Sequence, residues 1–517
     1  MRLSSMLTSA CALVMLSAGM VQAEVKVSAI FSDHMVLQRN QENPVWGWAN
    51  PDAEIQVTIN SQTLKAKADK DGYWKVKLPS MKEGGPFEMT IAGENTLNIK
   101  DILVGEVWLC SGQSNMQWTV GSSYDADLET LTASNPNLRL ISVPQVGTQE
   151  VQKTFSGKWE VCTPNSVKEF SGVGYFFGRQ LQTTLNIPVG LIDNAWGGSA
   201  CEAWIRRDLM QDNALYAPLM EMWAEREKNV PAAEKEAEII KNWEAQVKKA
   251  KEEGKPQPRR PTLHAELMRG NARPANIYNG ALKPIMGYGI KGAIWYQGET
   301  NTGRAYQYRE LFPLMISSWR DEWGQGDFSF YWVQLADYLD EAKEPGESNW
   351  AELREAQTMT MSKLPHTGEA VIINLGEAND IHPRDKLNVA KRLARWALAK
   401  DYGIPIPYHS PMYKSMIVKG DKVVIEFDHV ASGLDTFDVN EVKGFSIAGD
   451  DKKFHWATAR IIGNNKVEVS SSDVTAPVAV RYAWANNPVC NLFNKEGLPV
   501  TPFRTDDWPG ITAQSMK

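Results

Sequence analysis

The chain has 517 residues, 43% of them hydrophobic and 23% charged, with a formal net charge of -7. That length exceeds one ordinary core and points to two or three domains. The acidic balance argues against a basic, phosphate-reading face, so no nucleic-acid partner is expected.

In chain order, the first stretch is "MRLSSMLTSACALVMLSAGMVQA": a basic Arg2, an apolar run, and Val21-Gln22-Ala23 as a small-residue cleavage site. It reads as a secretory signal peptide over residues 1–23, and export to a periplasmic or extracellular space follows from that reading. No later apolar run is long enough to span a bilayer. Cleavage leaves Cys110, Cys162, Cys201 and Cys490, too few for a disulfide framework and without metal-ligand spacing. They are expected to be mostly buried thiols, and neither a metal nor an organic cofactor is called for.

Residues 24–100 carry short strand patterns. In "TLKAKADKDGYWKVKLP", Leu64, Ala66 and Ala68 alternate with polar residues, Asp71-Gly72 turns the chain, and Trp74, Val76 and Leu78 resume the alternation. A small β-sandwich-like domain is predicted there. Residues 406–517 have the same texture in "MIVKGDKVVIEFDH", "ARIIGNNKVEVSS" and "APVAVRYAWANNP", which predicts a second β-rich domain.

Between them, residues 101–405 alternate strands with helices, the pattern of an α/β domain built on a mostly parallel sheet flanked by helices. The strands are "DILVGEVWLC", "LRLISV", "IPVGLID", "GIKGAIWYQ", "FYWVQLAD" and "EAVIINLG". A charged segment at about 224–262 breaks the alternation. There Ile240, Trp243, Val247 and Ala250 form a narrow stripe, read as an inserted surface helix that ends at Gly254.

Polar, glycine-containing clusters follow four of these strands: Ser111-Gly112-Gln113-Ser114-Asn115, Gly197-Gly198-Ser199, Gln297-Gly298-Glu299 and Asn379-Asp380-Ile381-His382. In an open parallel sheet the carboxyl ends of the strands share one edge, where ligands bind, so the four loops should meet. Ser114 is the natural nucleophile. Met116 stands where a GxSxG elbow needs its second glycine, which argues against an α/β-hydrolase. A serine needs a base titrating near neutrality. Of the seven histidines, only His382 follows a strand of the α/β section, whereas His366 belongs at the opposite edge. The backbone N–H groups of Ser114 and Gly198 and the side-chain amide of Gln297 suit an oxyanion hole.

Six ordered blocks, "GEVWLCSGQSNMQW", "DNAWGGSACEAW", "IYNGALKPI", "KGAIWYQGETN", "LREAQ" and "DIHPRDK", together resemble the sialate O-acetylesterase family of the SGNH-hydrolase superfamily. The resemblance implies an SGNH-like fold, Ser114 as nucleophile, Gly198 and Gln297 as oxyanion donors and His382 as base. For the acid two arrangements stay open. Asp380, only two residues before His382, bends back to the imidazole, or a main-chain carbonyl orients a dyad; Asp380 is favoured because a carboxylate so regularly fixes such a histidine. Glu299 is read as a support for the oxyanion loop.

The implied activity is hydrolysis of O-acetyl esters of sialic acid through an acetyl-serine. That substrate carries a carboxylate, for which Arg206, Arg273, Arg354 and Arg384 are candidates. Trp118, Trp196 and Trp295 could bound a small pocket, and Asn279 and Arg354, carried by two of the blocks, join Trp118 and Trp295 as substrate-binding candidates. The rivals are an esterase of acetylated xylan or another polysaccharide, and a non-catalytic carbohydrate-binding protein.

Overall fold

The computed structural model describes residues 24–516; the signal-peptide reading falls on residues outside the described ones. The protein is mixed α/β, with a large mixed sheet at its centre and antiparallel sheets at the C-terminal end.

One strand, Thr96–Gly112, organises the molecule. Its first half pairs antiparallel with Gly84–Ala92 in the N-terminal β region, and its second half pairs with Val189–Ala195 and Gly292–Tyr296 in the central region. The boundary anticipated at residue 100 therefore lies inside a single continuous strand. Across the central region the order is Glu160–Cys162, Asn135–Ser142, Val189–Ala195, Thr96–Gly112, Gly292–Tyr296, Ser329–Val333 and Thr367–Ala370. All neighbours in that row pair parallel except the edge strand Glu160–Cys162.

Alternation explains why these strands read as unbroken apolar runs. Val107, Leu109, Ala293, Trp295, Phe330 and Trp332 face one core, whereas Trp108, Cys110, Ile294, Tyr296, Tyr331 and Val333 face another. Both faces are covered, so the two-residue period leaves no polar face in the sequence. Gly172–Leu185 and Lys386–Lys400 pack together on one side; Ala305–Trp323 and Asn349–Lys363 pack together on the other.

The N-terminal strands divide between two sheets. Gln62–Lys67 pairs with Glu54–Ile59, whereas Tyr73–Leu78 pairs with Asn43–Trp48. Asp71-Gly72 therefore passes the chain from one sheet to another, with Gly72 at φ +76°. The charged insertion is the helix Ala233–Glu252, of whose residues only Ala250 is buried, and Gly254 just beyond it takes φ +64°. Cys110, Cys162 and Cys201 are buried, Cys490 is half-buried, and all four are free thiols. No helix among the described residues is long and apolar enough to cross a membrane.

Candidate active site

The long strand ends at Gly112, whose φ is +141° and where an added Cβ would lie 2.2 Å from the Tyr296 carbonyl oxygen. Only glycine fits that bend. The chain then enters a four-residue helix, Ser114–Gln117, with Asn115 and Met116 buried. Met116 fills core space, and its carbonyl accepts from Ser171 Oγ at 2.6 Å. Ser114 is thus held on a turn packed from beneath.

His382 comes from the loop after the Thr367–Ala370 strand, and its Nε2 lies 2.8 Å from Ser114 Oγ. These residues are 268 positions apart in sequence. The ring of Trp118 stacks on the imidazole at 5.0 Å and 13°. Asp380 Oδ1 accepts the His382 backbone N–H at 2.8 Å and stands 3.5 Å from Nδ1. The loop turns tightly enough for one carboxylate oxygen to face both groups, within hydrogen-bond reach of the backbone N–H and at ion-pair distance from the ring. Burial lowers the imidazole below its ordinary value near 6.5; Asp380 pulls it upward and the Lys386 ammonium lowers it further. A neutral ring with Nε2 facing the hydroxyl is the form that can accept a proton.

The second loop sits beside the nucleophile. Gly197 donates its N–H to Gln117 Oε1 at 2.7 Å, and Gly198 takes φ +72°. The backbone N–H groups of Ser114 and Gly198 donate to no protein acceptor among the described residues. Asn271 donates its amide to the Gly197 carbonyl and lies 3.4 Å from where a Cβ on Gly198 would stand. Its position in a loop, outside every strand pattern, left no signal in the sequence.

Gln297 does not act as expected. It is fully buried, and its amide nitrogen donates to the Ser199 carbonyl at 3.2 Å and to Asn301 Oδ1 at 2.7 Å. Its Oε1 accepts from the Tyr308 hydroxyl at 2.8 Å. Both amide hydrogens are spent, so Gln297 braces the glycine turn from behind and offers nothing to an oxyanion.

Among the substrate-binding candidates, only Trp118 is at the nucleophile. Trp295 is fully buried among Trp204, Phe312, Trp319 and Phe330, because the strand alternation turns it into the core. Asn279 donates to the carbonyls of Thr148 and Gln149 at 3.3 and 3.2 Å, fixing a neighbouring loop. Arg354 is fully buried and donates to four carbonyls, those of Leu335, Ala336, Ala485 and Asn486, at 2.6–2.8 Å. It fastens the C-terminal β region to the catalytic one. The other arginines are also occupied: Arg206 by Asp208 and Glu322, Arg273 by Glu227, and Arg384 by Glu377.

A buried network underlies the site. Lys386 Nζ donates to Asn115 Oδ1 at 2.6 Å, and Asn115 Nδ2 donates to Glu299 Oε1 at 2.7 Å and to the Ile381 carbonyl at 2.9 Å. Asn115 follows the nucleophile and Ile381 precedes the histidine, so one amide ties the two catalytic loops together. Burial pulls Lys386 down to about 7 and pushes Glu299 up. The Glu299 carboxylate thus supports the loops through Asn115.

A hydroxyl paired with a neutral imidazole, a carboxylate behind it and free N–H donors beside it define a site able to perform nucleophilic acyl transfer. Residues 104–239 and 268–398 match the family described as carbohydrate esterase, sialic acid-specific acetylesterase. The chain is 30% identical to the sialate O-acetylesterase of Mus musculus, over 92% of this chain and 94% of that one. The Homo sapiens sialate O-acetylesterase is 28% identical over 95% of each chain. Among solved structures, a carbohydrate acetylesterase from Xanthomonas citri superposes with a TM-score of 0.78 at 37% identity, covering 94% of this chain and 100% of that one. The protein belongs to the sialic acid-specific acetylesterase family of carbohydrate esterases.

Proposed function

We propose that the protein hydrolyses O-acetyl esters of sialic acid to the free sugar acid and acetate. The observation that carries this reading is the 2.8 Å approach of His382 Nε2 to Ser114 Oγ, within a chain of this family. Ser114 Oγ attacks the acetyl carbonyl carbon while Nε2 takes its proton, and Asp380 steadies the imidazolium that forms. The oxyanion rests on the N–H groups of Ser114 and Gly198, in a turn that Asn271 holds through the Gly197 carbonyl. His382 then protonates the departing sugar oxygen. Water, deprotonated by the same ring, attacks acetyl-Ser114 and releases acetate.

Ser114→Ala should lower acetate release from 4-nitrophenyl acetate by at least roughly a thousandfold with an unchanged far-ultraviolet circular dichroism spectrum. Undiminished release would exclude Ser114. The similarity to a carbohydrate acetylesterase from Xanthomonas citri favours one further measurement, acetate release from O-acetyl sialic acid against acetylated xylan; a preference for xylan would move the substrate to a polysaccharide.

We read the central region as an SGNH-like domain over residues 101–405, with 24–100 and 406–517 as flanking β regions, the first continuous with it through the shared strand Thr96–Gly112, and we assign 1–23 to a signal peptide that directs export. Amino-terminal sequencing of the secreted protein should begin at Glu24; a mature chain retaining Met1 would contradict export by this route.

A further inference from the structure

Beside the Gly197-Gly198-Ser199 turn lies a cavity of about 280 Å³ whose lining includes Ala200, Ala272, Thr300, Trp223, Arg226 and Arg304. Three of these tie it to the oxyanion turn. Ala200 is two residues beyond Gly198; Ala272 follows Asn271, whose amide holds the Gly197 carbonyl; and Thr300 Oγ1 donates to the Gly198 carbonyl at 3.2 Å. The turn in its own right packs on the nucleophile, since a Cβ on Gly197 would stand 3.3 Å from Ser114 Cβ.

The two cations of the cavity are not equivalent. Arg304 pairs with the buried carboxylate of Glu202 and donates to Gln307 Oε1 at 2.7 Å, so its charge and donors are in use. Arg226 makes no ion pair among the described residues. Its guanidinium lies 5.1 Å from the centre of the buried Trp223 ring. An aromatic face steadies a guanidinium without consuming its N–H donors, which leaves the planar fork available to a carboxylate.

Sialic acid, unlike the sugars of neutral polysaccharides, presents a carboxylate that a cation can recognise. The four arginines nearest the family blocks are all committed within the protein, as described above. We propose that Arg226 receives the sugar carboxylate of the substrate whose acetyl ester lies on Ser114, and that this cavity is the carboxylate subsite. The inference rests on the O-acetyl sialic acid reading and adds to it the residue that selects for an acid.

The test compares acetate release from O-acetyl sialic acid and from its carboxyl methyl ester, which carries the same acetyl group but no charge. The wild-type enzyme should prefer the acid in kcat/KM by about tenfold to a hundredfold, as expected of a charge-assisted bidentate hydrogen bond. Arg226→Gln should bring that ratio close to one, chiefly through KM for the acid, and Arg226→Lys should retain part of it. A wild-type enzyme indifferent to the methyl ester, or a ratio unmoved by Arg226→Gln, would overturn the assignment. If the wild type releases acetate from neither compound but still hydrolyses 4-nitrophenyl acetate, the sialic acid reading falls first, and this inference falls with it.

Discussion

The two ends of the central sheet both present histidines to solvent-accessible space, yet only one end is built for chemistry. At the opposite end a cavity of about 570 Å³ is lined by His366, His409, His429, Trp396, Tyr408 and Asp401, among others. It is larger than the cavity beside the oxyanion turn and richer in titratable groups. His409 and His429 nevertheless stack on each other at 3.8 Å, and His409 Nδ1 is engaged by the Ser410 carbonyl at 2.6 Å. Burial, aided by His429, takes His409 down to about 4, and both Asp401 oxygens are used by Ser329 and Tyr331. At the carboxyl end, His382 faces a hydroxyl held on a sharp turn, with unused N–H groups alongside. Volume and histidine count do not separate the two ends; what separates them is whether each group has its partner inside the protein or is left one for a substrate.

The sharpest way to break this contrast is to remove each imidazole in turn. His382→Ala should lower kcat for 4-nitrophenyl acetate by about a thousandfold to ten-thousandfold. Removing the carboxylate tests how far a half-exposed acid matters. Asp380→Asn should cost roughly tenfold to a hundredfold in kcat, less than His382→Ala, because Asp380 stands 3.5 Å from Nδ1 and is half open to water. A loss equal to that of His382→Ala would make Asp380 an indispensable member of the triad; no loss would make the pair a dyad.

The pH profile probes the electrostatics more gently. His382 works as a base only when neutral, and its folded value is held below 6.5. The rate should therefore be full above that value and decline as pH falls through the lowered one, placing the midpoint of the acid limb of kcat/KM below 6.5. Lys386→Met removes a charge that lowers the imidazole, so the limb should move to higher pH; a limb moving down would contradict the field assigned to Lys386. The smallest effect is expected at the other end of the sheet: His409→Ala should leave kcat within about twofold, since its ring touches no part of the acyl-transfer machinery.

Much of this site was legible in the sequence because the signals are local. A strand pattern followed by glycine and small polar residues located Ser114, Gly198 and His382 at strand ends, and the parallel-sheet rule brought them to one edge. For Asp380 the sequence left two arrangements open, a carboxylate bent back to the imidazole or a dyad oriented by a main-chain carbonyl, and only the fold brings its carboxylate to 3.5 Å from Nδ1. The residues misjudged share a different cause. Gln297, Trp295 and Arg354 stand in family blocks, but whether a side chain turns toward the crevice or the core depends on partners outside those blocks: the Ser199 carbonyl for Gln297, an aromatic cluster for Trp295, and the carbonyls of Ala485 and Asn486 for Arg354. Asn271 and Lys386 went unrecognised for the same reason. Lys386 opens a helix as an ordinary charged residue, and only the fold buries it against Asn115. The continuity of the Thr96–Gly112 strand was hidden because its two halves carry different patterns, alternating where one face meets solvent and mostly apolar where both faces are covered, with Glu106 and Ser111 as buried exceptions.

The central claim is that Ser114, activated by His382, is the atom that takes the acyl group. Its most direct test is labelling with a serine-directed phosphonate ester followed by peptide mass mapping. A single adduct on Ser114, formed by the wild type and suppressed in His382→Ala, is the result predicted here. An adduct on a different residue that abolishes activity, or complete inactivation with Ser114 unlabelled, would contradict it.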